Sequence, residues 1–241
     1  MPKLRDFSVY NGRLPDPAEG QNSTILENLS TLEVGYFCCS EEVVKRSPNL
    51  KKLFVAHRFS SDDSFAQLSK LESLSLRYYN SGLEDISFPT SLKKLSLTYC
   101  EFPWEKMTII DSSLPNLEVL KLDNTGEGAE WSPIEGEFLR LKVLVIESHH
   151  LEQWGAEDIH FPNLYGLYLR DMWDLKEIPL SIGDINTLHS IHLYECSESA
   201  MSSAVEIVKD QKEKGNESLQ VYVNLKQVLL DSNEEQVNVW L

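Results

Sequence analysis

An α/β solenoid, with a parallel concave sheet and an irregular convex side, is the fold class that the sequence predicts. Three observations carry it. The chain has 241 residues, and 35 of them are Leu. Those Leu residues fall into a triplet, L-x-x-L-x-L, that recurs nine times when Ile, Val and Phe count as equivalents. The first members of the triplets are Leu4, Leu29, Leu50, Leu71, Leu92, Leu117, Leu141, Leu164 and Leu188, spaced 21 to 25 residues apart. A single triplet in a Leu-rich chain means nothing. Nine at a nearly fixed spacing match the period of about 20–29 residues that defines a leucine-rich-repeat horseshoe.

The period of two in a strand gives each triplet its structural meaning. The second and third Leu of a triplet point one way, into the core, and the residues between them point out. Each repeat supplies one short strand, neighbouring strands pair in parallel, and a return segment closes the turn on the convex side. No repeat buries its apolar face alone, so stability comes from stacking. The eighth residue after the first Leu, a turn position in such repeats, holds Cys100, Thr125 and Cys196 but also Phe37, Arg58, Tyr79, His149 and Met172. That partial match predicts uneven turns and two core cysteines. The vicinal Cys38-Cys39 has no assigned role.

The elements follow in order. Asn11 to Gln21, with Pro15, Pro17 and Gly20, reads as a convex loop. Ser47-Pro-Asn-Leu50, Leu114-Pro-Asn-Leu117 and Phe161-Pro-Asn-Leu164 place Pro just before a strand, where it holds the chain extended. The long excursions from Thr98 to Asn116 and from Asp123 to Arg140 carry Trp104 and Trp131, read as buried convex wedges. Nine parallel strands are expected in residues 1–195. Residues 196–241 are expected to form a cap and tail: a helix from Ser197 to Lys214 with Ala200, Ala204, Ile207 and Val208 at helical spacing, stopped by Gly215, then an alternating strand from Ser218 to Val223. No comparable unit precedes Leu4. A first strand with an open edge suggests the C-terminal piece of a longer protein.

Composition narrows the function. With 22 basic and 38 acidic residues the formal charge is −16, which argues against nucleic acid as a partner because phosphate binding needs a basic face. No apolar run approaches the ~18 residues of a membrane span, and the N-terminus has no export signal. A cytoplasmic chain with reduced thiols is expected. His149-His150 and the pair His189 and His192 do not converge as metal ligands. No G-x-S-x-G, H-E-x-x-H or Gly-rich phosphate loop is present, so no enzyme is expected.

The outward strand positions, two, four and six residues after each first Leu, form the concave surface. Their charged residues are Lys52, Arg77, Lys94, Lys121 and Arg170 against Asp6, Glu33, Asp123 and Glu147, five against four in a strongly acidic chain. Tyr36, His57, Tyr78 and Tyr99 follow in the next column, and Tyr10, Phe54, Tyr168 and Tyr194 add aromatic area. Aromatics and Arg anchor protein interfaces. The expected protein-binding set is Lys52, Phe54, Arg77, Tyr78, Lys94, Tyr99, Lys121, Tyr168, Arg170 and Tyr194. Lys52, Arg77, Lys94 and Lys121, in four successive repeats, read as one basic column.

Leu175-Lys-Glu-Ile-Pro179 followed by Ile182-Gly-Asp-Ile-Asn-Thr-Leu188 resembles the plant L-x-x-I-P-x-x-I-G repeat. Glu135-Gly-Glu-Phe-Leu-Arg-Leu-Lys-Val-Leu144, Phe161-Pro-Asn-Leu164 and the stretch from Ile207 to Val223 resemble the C-terminal region of solanaceous coiled-coil nucleotide-binding leucine-rich repeat immune receptors, in particular the late blight resistance protein homologues. The N-x-L-x-G-x-I-P signature of extracellular plant receptors is absent. The resemblance implies a recognition module whose partners are a pathogen effector or a guarded host protein, together with the nucleotide-binding domain of the same receptor. That switch is not in this chain, which has no G-x-x-x-x-G-K-[ST]. ATP or ADP is expected only in a nucleotide-binding domain of a full-length receptor. The alternative is a substrate adaptor of a ubiquitin ligase, with its F-box outside these residues. The sequence upstream of Met1 separates the two.

Overall fold

The structure is a computed structural model and describes residues 4–11, 25–36, 46–56, 65–78, 86–230 and 237–239. The loop expected between Asn11 and Gln21, and Cys38-Cys39, lie largely or wholly outside the described residues.

Strands come in chain order: β1 (Asp6–Asn11), β2 (Thr31–Tyr36), β3 (Lys52–Ala56), β4 (Ser73–Arg77), β5 (Lys94–Thr98) and β6 (Phe102–Pro103). They continue with β7 (Val119–Asp123), β8 (Gly126–Glu127), β9 (Glu130–Trp131), β10 (Val143–Glu147), β11 (Gln153–Trp154) and β12 (Gly166–Arg170). The last are β13 (Ser190–Tyr194), β14 (Gln220–Val223), β15 (Lys226–Leu230) and β16 (Val237–Val239). The main sheet runs β1-β2-β3-β4-β5-β7-β10-β12-β13-β14-β15-β16. Every pairing from β1 to β14 is parallel and in register, so equivalent residues of successive repeats stand side by side.

The triplets do what their spacing predicts. From Leu32 to Leu193 the second and third members are at most 2% exposed, and all belong to one apolar cluster. Leu4, Phe7 and Val9 of the first repeat are only partly buried. The turn column also behaves as expected. The Cys100 thiol donates to the carbonyls of Leu76 (3.6 Å) and Thr98 (3.5 Å), and Cys196 donates to the corresponding Leu169 and Tyr194 (both 3.5 Å). Burial pushes the Cys100 thiol up to about 12, so it stays protonated and works as a turn donor.

The Asn of the Pro-Asn-Leu segments has a role that sequence reasoning missed. The side-chain amides of Asn49, Asn116 and Asn163 donate to the carbonyls of Glu27 (2.7 Å), Thr90 (2.9 Å) and Leu139 (2.8 Å), each in the preceding repeat. Thr187 bonds Pro162 in the same way (3.3 Å). Two of these Asn accept in turn from a cation of the following repeat, Lys70 on Asn49 (2.6 Å) and Arg140 on Asn116 (2.8 Å). A polar ladder therefore ties repeats together at the point where each strand begins.

The convex side is irregular. β6 pairs β8, β9 pairs β11, and a short helix spans Met107–Ser113. Trp104 and Trp131 are buried wedges, as expected, and Trp154 continues their stack. Gly126 is required here: a Cβ at that position would lie 1.9 Å from the Trp104 ring.

Among the described residues the sheet has ten parallel strands where the triplets predict nine. Val221 and Val223 fill the two core places of the tenth, paired with Ile191 and Leu193. That strand was legible from its alternation, but without a leading Leu it reads as part of the cap. The helix Glu198–Glu213 serves as its convex return. Ser197 caps it by accepting from the Ala200 amide (3.0 Å), and Ala200, Ala204 and Ile207 face the core. At its end Gly215 takes φ +82°, with Asn216 N–H on Gln211 O (2.8 Å) and Gly215 N–H on Lys212 O (3.0 Å). This crossed pair of bonds is a Schellman stop. Parallel stacking then ceases, because Asn224 and Leu225, both at positive φ, make a two-residue hairpin into antiparallel β15.

Asp184 ties the cap helix to the turn before β13. Its Oδ1 accepts from Lys214 Nζ (2.6 Å) and Gln211 Nε2 (2.8 Å). The Lys214 bond, with help from Gln211, holds the Asp184 carboxyl below its ordinary value of 3.8. A depressed folded-state value means stability that is complete above 3.8 and is lost as the pH falls through the lower value. Asp184→Asn is therefore expected to flatten the acid limb of a melting-temperature profile below about pH 4. An unchanged limb would show that the tie contributes nothing to the cap.

Candidate protein-interaction face

The in-register sheet sorts the outward residues into three rows across the concave face. The leading row includes Lys52, Ser73, Lys94, Val119 and Val143. Phe54, Ser75, Ser96 and Lys121 lie in the middle row, which continues through Val145, Tyr168, His192 and Tyr222. Arg77, Thr98, Asp123, Glu147, Arg170 and Tyr194 make the trailing row. The expected basic column is thus not a column. Lys52 and Lys94 share the leading row, Lys121 stands in the middle, and Arg77 is in the trailing row with Arg170. Outward position alone does not separate two, four and six residues after the first Leu; register does.

Lys52, Arg77, Arg170, Tyr99 and Tyr194 are exposed, and Phe54, Tyr78, Lys94, Lys121 and Tyr168 are half-buried. The rings of Tyr78 and Tyr99 stack at 5.3 Å. Both residues have positive φ, 55° and 51°, at the strand ends, so they form a lip beside the trailing row and not its floor. The side chains of Tyr10 and Tyr36, and all of His57, fall outside the described residues.

The cations on this face differ from those around it. One residue before the floor runs a rim of alternating charge, Lys51, Glu72, Lys93, Glu118 and Lys142. Lys51 pairs with Glu72 (4.0 Å) and Lys142 with Glu118 (3.1 Å). Lys176 and Lys214 also have carboxylate partners. Among the described residues, Lys52, Arg77, Lys94, Lys121 and Arg170 have no such partner within 4.0 Å. Burial, then the charges of Lys94 and Arg170, lower the Lys121 ammonium below its ordinary value. The trailing row carries the opposite sign at its centre. Burial, then Asp123 and Asp171, raise the Glu147 carboxyl, while Arg170 and His149 oppose them.

His192 and Tyr222 belong to this face and were missed as site residues. Tyr168, His192 and Tyr222 stack face to face at 4.5 and 4.6 Å, within 7° of parallel. Burial, then Arg170, lower the His192 imidazole below its ordinary value, which keeps it neutral at pH 7. For His192 the signal was available, because it stands four residues after Leu188 as Tyr168 does after Leu164, whereas Tyr222 has no leading Leu to mark its place. Among the described residues no group of three or more His, Cys, Asp or Glu side chains is placed to hold a metal ion, and no helix is long and apolar enough to cross a membrane.

Ten stacked parallel strands on a Leu core, with a solvated concave face, define a leucine-rich-repeat solenoid. The chain is homologous to late blight resistance proteins of Solanum demissum. One putative late blight resistance protein homolog is 34% identical over 243 residues, covering 95% of this chain and 31% of its own length. Another is 31% identical over 255 residues, 99% of this chain and 20% of its own, and late blight resistance protein R1-A is 34% identical over 227 residues, 88% and 17%. The chain thus spans about a third or less of the relatives it matches. No protein-family model matches it. Among solved structures, an internalin from Listeria monocytogenes is similar at TM-score 0.43 and 16% identity, over 83% of this chain and 62% of its own.

Proposed function

We propose that this chain is the recognition and autoregulatory module of an intracellular plant disease-resistance receptor. It binds a pathogen effector or a guarded host protein, and it docks on a nucleotide-binding switch that lies outside these residues and holds ATP or ADP. The reading places the chain in the cytoplasm and gives it no catalytic role. Homology to late blight resistance proteins supports it. The observation that carries the site is that, among the described residues, the concave cations have no carboxylate partner, whereas Lys51 and Lys142 on the rim are paired. Unpaired cations on a binding face steer an acidic surface into place and make the encounter salt-dependent.

The test is co-precipitation of this chain with the nucleotide-binding portion of such a receptor, at low and high ionic strength. Reversing Lys94 and Lys121 to Glu is expected to weaken capture at least tenfold, a loss of about 1.4 kcal/mol or more. Added salt should weaken the parent in the same direction. A double reversal that is captured as well as the parent, with no salt effect, would remove the concave face from this contact.

A further inference from the structure

The concave face is divided into two zones of different chemistry, and we infer that its occupant is an extended polypeptide segment with an acidic half and an aromatic half. The inference rests on the concave face being the recognition face and adds the chemistry of what it recognises. The first zone lies over β3, β4, β5 and β7. On β3 to β5 the outward positions hold three cations, Phe54, Ala56, three half-buried serines (Ser73, Ser75 and Ser96), the buried Thr98 and no carboxylate. Lys121 on β7 extends this zone, and none of its cations has an ion-pair partner among the described residues. Small hydroxyls leave room above the floor and offer donors, so carboxylates of a partner strand reach the ammonium groups without displacing bulk.

The second zone lies over β10 to β14. Val143 and Val145 lead into the Tyr168–His192–Tyr222 stack. Gly166, in the leading row, lets the Tyr168 ring lie close against the backbone: a Cβ there would meet that ring at 3.1 Å. The Tyr222 hydroxyl is held on Gln220 Oε1 (2.7 Å), which fixes the last ring of the stack. Ring edges held side by side form an anchor for apolar and aromatic side chains.

The trailing row sets the path. Asp123 and Glu147 stand next to each other there, with Asp171 close enough to act on Glu147, and they repel an acidic strand. A partner is therefore confined to the leading and middle rows, acidic over Lys52, Lys94 and Lys121 and aromatic over the ring stack. From β3 to β14 there are seven strand spacings of about 4.8 Å, or roughly 34 Å, which an extended chain covers in about ten residues at ~3.3 Å each.

The experiment measures binding of four fluorescent peptides to the 241-residue chain: an Asp/Glu-rich probe, a Trp/Tyr/Leu probe held soluble by neutral residues, and the two joined end to end through a short Gly linker in each of the two orders. The inference expects one joined order to bind at least about tenfold tighter than either half, because the second contact becomes intramolecular. Lys94→Gln with Lys121→Gln should weaken the joined probe and reduce its salt dependence, Lys52 being left in place. Tyr168→Ala with Tyr222→Ala should weaken it while leaving the salt dependence intact. Lys51→Gln with Lys142→Gln, on the paired rim, should leave affinity within about twofold, as expected of exposed ion pairs.

Joined probes no tighter than the acidic one overturn the two-zone division. So does preferential binding of an RNA of equal charge, or self-association of the chain through this face in sedimentation. If the Lys94 and Lys121 reversals still weaken capture of the receptor portion under those outcomes, the recognition face stands and only the division falls. If neither effect appears, both fall.

Discussion

Leu120→Asp is expected to unfold the middle of the solenoid. Leu120 has no solvent exposure and stands in register between Leu95 and Leu144, two equally buried residues. The new carboxyl would enter an apolar layer with no donor provided for it. Burying an unpaired polar group costs roughly 2–7 kcal/mol, and a charged one more, so the acid would be driven to its neutral form or the layer would open. Total stability is about 5–15 kcal/mol for a typical domain, so a cost at the upper end removes much of it. A solenoid couples each repeat only to its neighbours, so a broken layer also severs the stack on one side from the other. Leu120→Ala removes volume without adding charge and should cost about 2–5 kcal/mol. Lys121→Gln is the control: one residue further on, it faces the concave side, and its effect should stay within about 0.5 kcal/mol. Thermal and urea melting of the three variants checks the order. A Leu120→Asp variant that melts with the parent would show that the position is not inside.

The contrast between Leu120 and Lys121 also shows why the fold was readable from sequence. Alternation with a period of two assigns each strand residue to a face, and a fixed repeat length assigns each strand to a neighbour. Nine strands, their core residues and the buried cysteines follow from those two regularities, and the cap helix from its own helical spacing and the Gly215 that stops it. The tenth strand was visible as Val221 and Val223 but lost its identity without a leading Leu. The candidate face was only half legible. Which residues point outward is a matter of parity, whereas which cations meet depends on their row. Arg77 and Lys94 are both outward on adjacent strands, yet they lie in different rows because they sit six and two residues after their own first Leu. Tyr222 escaped because its strand was read as cap, and the Asn ladder because a lone Asn before a Leu has no pattern until the repeats are aligned.

The convex side was the least legible part, and Trp131→Ala shows why it matters. Trp104, Trp131 and Trp154 stand 12, 14 and 13 residues after Leu92, Leu117 and Leu141, so no fixed period reveals that they stack. In the structure Trp131 is the centre of the wedge. It stacks on Trp104 at 5.0 Å and on Trp154 at 6.1 Å, and it meets Phe138 and Phe161 edge-on at 6.3 and 6.1 Å. Its neighbours have little freedom to close a gap. Trp104 is fixed by its Nε1–H bond to the Gly128 carbonyl (3.1 Å) and by the bare backbone of Gly126 beneath its ring, and Phe138 is held at its amide by the Asp111 carboxylate (2.7 Å). A cavity that cannot collapse gives the full cost of the lost ring, about 3–5 kcal/mol for Trp→Ala. Trp131→Phe keeps an aromatic in the slot and should cost markedly less. Urea unfolding gives the size of each loss, and near-ultraviolet circular dichroism reports the broken stack independently. A Trp131→Ala midpoint within error of Trp131→Phe would mean that the wedge relaxes into the gap, and that the convex side is held by its backbone ladders instead of its rings.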